Sequence, residues 1–390
     1  MNVKKLSFPL LLAGALALAA CGSSKSSGTN GTSGTPTSAA APAASTSSSS
    51  SGSDAVAAAE AAEQAAATFA TTIPVTDALP SAPPKGKTVV FLQCEQEECG
   101  HEGDGLKAAG DAIGWTVKVL NFKAADPATL VAALKTALQY KPVGVFFSGV
   151  PQAAWASVQG DYAKAGAFIT ENFDSTAPTG QGVQAGRGYG DDSTKIGKLL
   201  ADAQIADSQG APAKSLMVSV PTYAVFVPTA KAYHDEISAT CPACKVTDVN
   251  ATLPDLLGGK LIPAVVSAAK RATDLKYIVA VNGAFIAQLP PALKAAGISG
   301  VKIISGQGEA ADQKNVLNGD QLATVNSPLT MGGWQDMDMA IRDVMGLPIP
   351  AGDHVVPIAL LTKDNIGTPQ DSYDIPSDYA SQFKTLWQVG

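Results

Sequence analysis

The sequence predicts an α/β protein built of two doubly wound parallel-sheet lobes joined by a hinge. Three observations carry that expectation. From residue 87 onward, short β-branched runs alternate with longer Ala/Leu/Lys helical patterns, the pattern of a parallel sheet with helices on both faces. A glycine-rich stretch at 180–190 interrupts the alternation, after which it restarts. The chain has 390 residues, of which 46% are hydrophobic, enough for two cores rather than one.

The first twenty residues stand apart from the fold. Lys4 and Lys5 give a short positive segment, and residues 10–20 form an apolar run. That run is too short for a permanent membrane span, so residues 1–20 read as an export signal. It ends in Leu18-Ala19-Ala20-Cys21, which resembles the lipobox of bacterial lipoproteins. The resemblance implies a diacylglycerol on the Cys21 thiol and anchoring at the outer face of the cytoplasmic membrane. Residues 21–53 are almost wholly Gly, Ser, Thr, Ala and Pro and read as a flexible tether with a reach of roughly 30 Å. Residues 54–85 supply a peripheral helix with little bulk to bury, then a proline-spaced lead-in.

The first lobe is expected over 86–174 with 327–352. Strands are predicted at 88–93, 115–122, 143–147 and 167–170, with helices at 105–113, 127–140 and 152–165 between them. Gly114 stops the first helix and Pro127 opens the second. The second lobe is expected over 175–326 with 353–366. Asp192 is a candidate cap for a helix running to about 206. Strands follow at 216–220, 246–249, 277–281, 301–304 and 322–325, with helices ending near 239, spanning 254–272 and spanning 285–296. Residues 367–390 read as a C-terminal tail. In open α/β sheets ligands bind beyond the carboxyl ends of the strands, so two facing lobes put the site in the cleft between them.

These elements resemble, in order, the sugar-type (type I, ribose- and galactose-binding-like) periplasmic solute-binding proteins of ABC importers. The resemblance covers about 85–366 and rests on local matches. These are Gly105-Leu-Lys-Ala-Ala-Gly-Asp-Ala-Ile-Gly114, Asp126-Pro127, Gly166-Ala-Phe-Ile-Thr-Glu-Asn-Phe-Asp174, Ala280-Val-Asn282-Gly283, Ser305-Gly-Gln307-Gly308 and the closing segment 356–365. It implies a type I periplasmic-binding-protein fold and a monomer that captures a small, sugar-like solute for a membrane ABC permease. Contacts to ligand are then expected from Gln93, Glu95, His101, Phe173, Tyr223, Phe226, Asn282 and Gln307.

Departures from the family are informative. The first strand-to-helix loop, Cys94-Glu-Gln-Glu-Glu-Cys99-Gly-His-Glu102, has no aromatic residue to stack a sugar ring. Where the family carries an Asp-Arg pair this chain has Phe173-Asp174, and Gln307 and Gly283 replace aspartates. Bidentate clamps for vicinal hydroxyls are largely missing. A less polar ligand is therefore an open alternative.

Setting Cys21 aside, four cysteines allow three pairings. Two short-loop disulfides, Cys94–Cys99 and Cys241–Cys244, are the simplest reading in an oxidising compartment. Cys241-Pro-Ala-Cys244 also has the spacing of a redox-active motif, although that motif opens a helix and this one precedes a strand. A four-thiolate zinc site would need the two pairs to converge from different lobes. A net charge of −7 with only three arginines, Arg187, Arg271 and Arg342, argues against a nucleic-acid partner. The stretch 180–190 lacks the dinucleotide fingerprint and reads as a flexible connection. No cofactor, metal or catalytic triad is expected. Trp334 reads as core packing and His234 as part of a solvated face. Three functions follow, in order: a transport-binding protein, a ligand sensor for a receptor kinase or chemoreceptor, and a thiol oxidoreductase using Cys241 and Cys244.

Overall fold

The computed structural model describes residues 50–390, so the export signal, Cys21 and most of the tether lie outside the described residues. The described residues form one compact unit. The chain opens with α1 (Ser50–Ala67), followed by β1 (Thr88–Gln93), α2 (Glu97–Ile113), β2 (Thr116–Asn121), α3 (Pro127–Ala137), β3 (Gly144–Ser148), α4 (Ala156–Ala165), β4 (Phe168–Asn172) and β5 (Val183–Ala185). The second run is α5 (Gly190–Ser208), β6 (Lys214–Ser219), α6 (Phe226–Thr240), β7 (Lys245–Asn250), α7 (Leu253–Leu257), α8 (Leu261–Arg271), β8 (Leu275–Ala280), α9 (Leu289–Ala295), β9 (Lys302–Ser305), α10 (Ala310–Asn318) and β10 (Ala323–Asn326). It closes with α11 (Leu329–Met345), β11 (Ala359–Leu361) and α12 (Tyr379–Leu386).

Two sheets result. The first has the order β2-β1-β3-β4-β5 and is parallel throughout. The second has the order β11-β10-β9-β8-β6-β7, parallel except for β11, which runs antiparallel to β10. Both follow one winding, with the first strand beside the second on one side and the third on the other. Central strands such as β1 and β6 are buried along nearly their whole length, because helices cover both faces. The edge strands β2 and β7 are mostly exposed with the same periodicity. Each sheet therefore has a switch point where successive connections leave in opposite directions, and crevices form there.

Three segments, at 186–189, 327–328 and 346–358, carry the chain between the lobes within the body, and the lead-in after α1 and the segment between β11 and α12 cross as well. The His354 Nδ1 lies 2.8 Å from the Gly186 carbonyl, joining the first of these to the third. After the crossing at 327–328, α11 returns to the first lobe and packs along α2. Glycine makes that approach possible, since a Cβ at Gly105 would sit 1.9 Å from the Thr330 carbonyl oxygen. Gly105→Ala is expected to destabilise by about 1–3 kcal/mol through overpacking. Gly160→Ala, in a part of α4 with nothing within 4 Å, should be neutral or stabilise by about 0.4–1 kcal/mol. Thermal unfolding of the two variants should move in these different directions.

Several expectations are corrected. The helix predicted from Gly105 begins at Glu97, so Cys99 and His101 are helical rather than in a loop. Glycines at 100, 103 and 105 hide the helical pattern. At Gly103 the reason is packing, since a Cβ there would lie 2.8 Å from the Phe91 ring. The single helix expected at 254–272 is two, broken at Gly258-Gly259, where Gly259 has φ +69°. Asp192 lies inside the first turn of α5 rather than capping it, and pairs with Lys195 at 2.9 Å. Residues 180–190 are not a loose connection, because β5 pairs with β4 and Arg187 is fully buried. The C-terminal segment contains α12, whose Phe383 and Trp387 are buried with Trp334; the Trp334 and Trp387 rings stack at 5.2 Å. The lead-in is anchored too, with Ile73, Val75 and Leu79 buried in the same core.

Candidate functional site

The carboxyl ends of both sheets converge on one cleft. From the first lobe come Glu98, Glu102, Ser148 and Phe173, and from the second Tyr223, Phe226, Asn282, Phe285 and Gln307. Five of the eight residues expected from sequence, Phe173, Tyr223, Phe226, Asn282 and Gln307, therefore line it together. The other three line a neighbouring depression, Gln93, Glu95 and His101 beside Asp104 and Asn121; His101 is there because α2 starts early, at Glu97. Glu95 instead accepts a hydrogen bond from the Ala124 N–H at 2.9 Å.

Strand ends explain the positions that were found. Asn282 follows β8; its side-chain oxygen accepts from the Ala284 N–H at 2.8 Å, and its amide donates to Glu98 Oε1 at 3.0 Å. That second bond spans the two lobes. So does the pair His101 Nε2–Glu309 Oε2, 3.3 Å apart. Its hydrogen bond to Glu309 raises the His101 pKa against the opposing pull of burial. Phe173 and Gln307 hold left-handed backbone, φ +56° and +40°. Such strain in a non-glycine residue concentrates at functional sites. The Gln307 amide donates to the Ser327 carbonyl at 3.2 Å, across the β9 and β10 loops.

Sequence reasoning missed Phe285, Glu98 and the polar floor. Phe285 sits three residues after Asn282 and completes an aromatic panel. Tyr223 stacks on it with centroids 6.0 Å apart, and Phe226 meets it edge-on at 5.5 Å. Its position in the loop after β8 was the available signal. The floor is a buried network. Arg187 donates to Glu102 at 2.6 Å and to Asp336, while Asn172 donates to Glu102 at 2.8 Å and Ser148 donates to Glu102. Gly332 makes room for the guanidinium, since a Cβ there would lie 2.4 Å from it. The Phe173 ring covers the guanidinium at 5.7 Å. Burial pushes the Glu102 and Asp336 carboxyls above their ordinary range although Arg187 opposes this.

Both local disulfides are formed, Cys94–Cys99 and Cys241–Cys244. The first ties the loop after β1 to the first turn of α2, at the cleft. The second closes the turn after α6, so that Cys-x-x-Cys follows a helix instead of opening one. Among the described residues no group of His, Cys, Asp and Glu is arranged to hold a metal ion. No helix among them is long and apolar enough to cross a membrane. Half-buried His234 pairs with Asp248 at 2.8 Å.

No protein-family model and no curated protein sequence matches the chain. Solved structures do. A 5-methylthioribose transporter solute-binding protein from Thermotoga lettingae superposes with a TM-score of 0.64 at 17% identity, over 79% of this chain and 99% of that one. The Caulobacter myo-inositol binding protein superposes with a TM-score of 0.62 at 18% identity, over 72% and 94%. A LacI-type transcriptional regulator from Bacteroides fragilis gives 0.61 at 14%, over 73% and 99%. At such identities the likeness is one of fold, shared by binders and regulators alike. With two switch-point sheets, repeated crossings between the lobes and a common cleft, the chain has the two-lobed type I periplasmic-binding-protein fold.

Proposed function

We propose that this protein is an extracytoplasmic solute-binding protein, tethered by lipid on Cys21 to the outer face of the cytoplasmic membrane. It captures a small solute between its lobes and presents the closed clamp to an ABC permease. The observation that carries this reading is the cleft itself, lined from the carboxyl ends of both sheets and bridged by the Asn282–Glu98 hydrogen bond. A solute touching both lobes stabilises the closed arrangement by its differential affinity for that state. The bridging pair makes the lobes sensitive to what sits beside them. Solved structures of the same fold include proteins bound to myo-inositol and to 5-methylthioribose, which supports a small polyol or sugar derivative as the starting panel.

Thermal shift of the full chain against sugars, polyols, nucleosides, amino acids and small amines tests this. A solute at 100 times its dissociation constant should stabilise by about 2.7 kcal/mol. Asn282→Ala should weaken its binding by roughly tenfold or more, through loss of a buried hydrogen-bonding amide. A solute that binds equally well to Asn282→Ala and Phe226→Ala would place capture elsewhere and overturn the reading.

A further inference from the structure

We propose that the solute held in this cleft carries a positively charged ammonium group on a compact apolar body. This rests on the solute-binding reading and names the chemical class of its ligand. No lysine, arginine or histidine lines the cleft, whereas Glu98, Glu102 and Asp192 do. Two of those carboxylates are already matched: Glu102 by Arg187 at 2.6 Å and Asp192 by Lys195 at 2.9 Å. Glu98 has no ion-pair partner among the described residues. Its Oε1 accepts only the neutral Asn282 amide.

The surroundings of Glu98 hold two more carboxyls and no lysine or arginine that lines the cleft. Glu309 and Asp312 are 6% and 0% exposed, and the Asp312 carboxyl lies against Gly283, next to Asn282. Glu309 Oε1 is buried without a hydrogen-bond partner, while its other oxygen meets His101. Burial raises both carboxyls, and the field of Glu98 raises them further. His101 stands at this seam, with Glu97 3.9 Å away. An anionic solute would meet repulsion with no guanidinium to offset it, since Arg187 is sealed beneath the floor.

Facing Glu98 is an aromatic surface. Tyr223, Phe226 and Phe285 form the panel on the second lobe, and Phe173 lies on the first. The Tyr223 hydroxyl is buried without a partner, and burial, with the charges of Glu95 and Glu98, disfavours its ionisation. Aromatic faces attract cations through their quadrupole and shelter an apolar body at the same time. The half-buried Glu98 carboxylate beside them supplies the charge that an ammonium needs and a neutral hydroxyl does not.

Calorimetry on the full chain tests the proposal with matched pairs: choline beside 3,3-dimethylbutan-1-ol, and phenethylamine beside 2-phenylethanol, with myo-inositol and D-arabinose as neutral sugars. The expected result is an amine bound about tenfold or more tightly than its neutral counterpart. That affinity should weaken as salt rises and fall by about tenfold in Glu98→Gln. Equal binding of an amine and its isostere would overturn the proposal without any variant. So would amine binding unchanged by Glu98→Gln. Sugars that bind and depend on Asn282, with amines inert at millimolar concentration, would overturn the cationic ligand and leave solute capture standing. Binding by neither class would overturn both.

Discussion

Arg187→Leu is expected to destabilise the protein by about 3–5 kcal/mol, because it leaves carboxylates buried without their counter-charge. Arg187 is 1% exposed and is, among the described residues, the sole cation bonded to both Glu102 and Asp336. These sit on α2 and α11, and Arg187 itself lies on the crossing at 186–189 between the lobes. The loss should depend on pH, with a sign that can be worked out. Burial already holds Glu102 and Asp336 above the ordinary carboxylate range, and removing the guanidinium raises them further. A group with a raised folded-state pKa contributes stability that is present below its unfolded value, near 4, and lost as pH rises through the folded value. The deficit of the variant should therefore be smaller at pH 5 than at pH 8 in denaturant titrations. A pH-independent deficit below about 1 kcal/mol would show that the network is not held by charge. Adding Glu102→Gln to Arg187→Leu should recover part of the loss, since it removes one of the stranded carboxyls.

The same residues show where sequence reading succeeds and where it stops. Asn282, Tyr223 and Phe226 were legible because the site of an open α/β sheet follows from strand ends, and strand ends follow from short β-branched runs. Phe173 and Gln307 were legible as places where familiar strand-end motifs carry unusual residues. The floor was not. Arg187 bonds to partners 85 and 149 positions away in sequence, and nothing local in a run of glycines announces a buried guanidinium. Glycine misled twice, in opposite ways. In α2 it hid a helix, because Gly103 and Gly105 are there to let Phe91 and α11 approach. At Gly258-Gly259 it marked a real break inside a pattern read as continuous. His101 was placed in the cleft for the same reason: a loop would have carried it there, and a helix carries it to the seam opposite Glu309.

That seam supports the second large effect. Asp312→Asn should remove one part of the pH dependence of stability between pH 5 and pH 8, the rest lying with other buried carboxyls such as Glu102, also pushed up to about 7. The Asp312 carboxyl is pushed up to about 7, chiefly by burial and further by Glu309 and Glu98. Its stability contribution is full below pH 4 and lost as pH rises through about 7. The whole difference amounts to on the order of 4 kcal/mol, from about 1.4 kcal/mol per pH unit over roughly three units. His101 acts in the same direction, since its raised pKa also favours the folded protein at the acid end. Wild-type Tm should thus fall from pH 5 to pH 8, and the asparagine variant, with the same shape against Gly283, should fall less and overtake it at the alkaline end. Parallel curves for the two proteins would mean that Asp312 is ionised throughout and the seam is better solvated than its burial implies. The proton on Asp312 also reports on the solute. A cation bound beside Glu98 favours its release, whereas a neutral sugar leaves it in place. The same pair of curves, measured at saturating solute, therefore reads the charge of whatever the cleft holds.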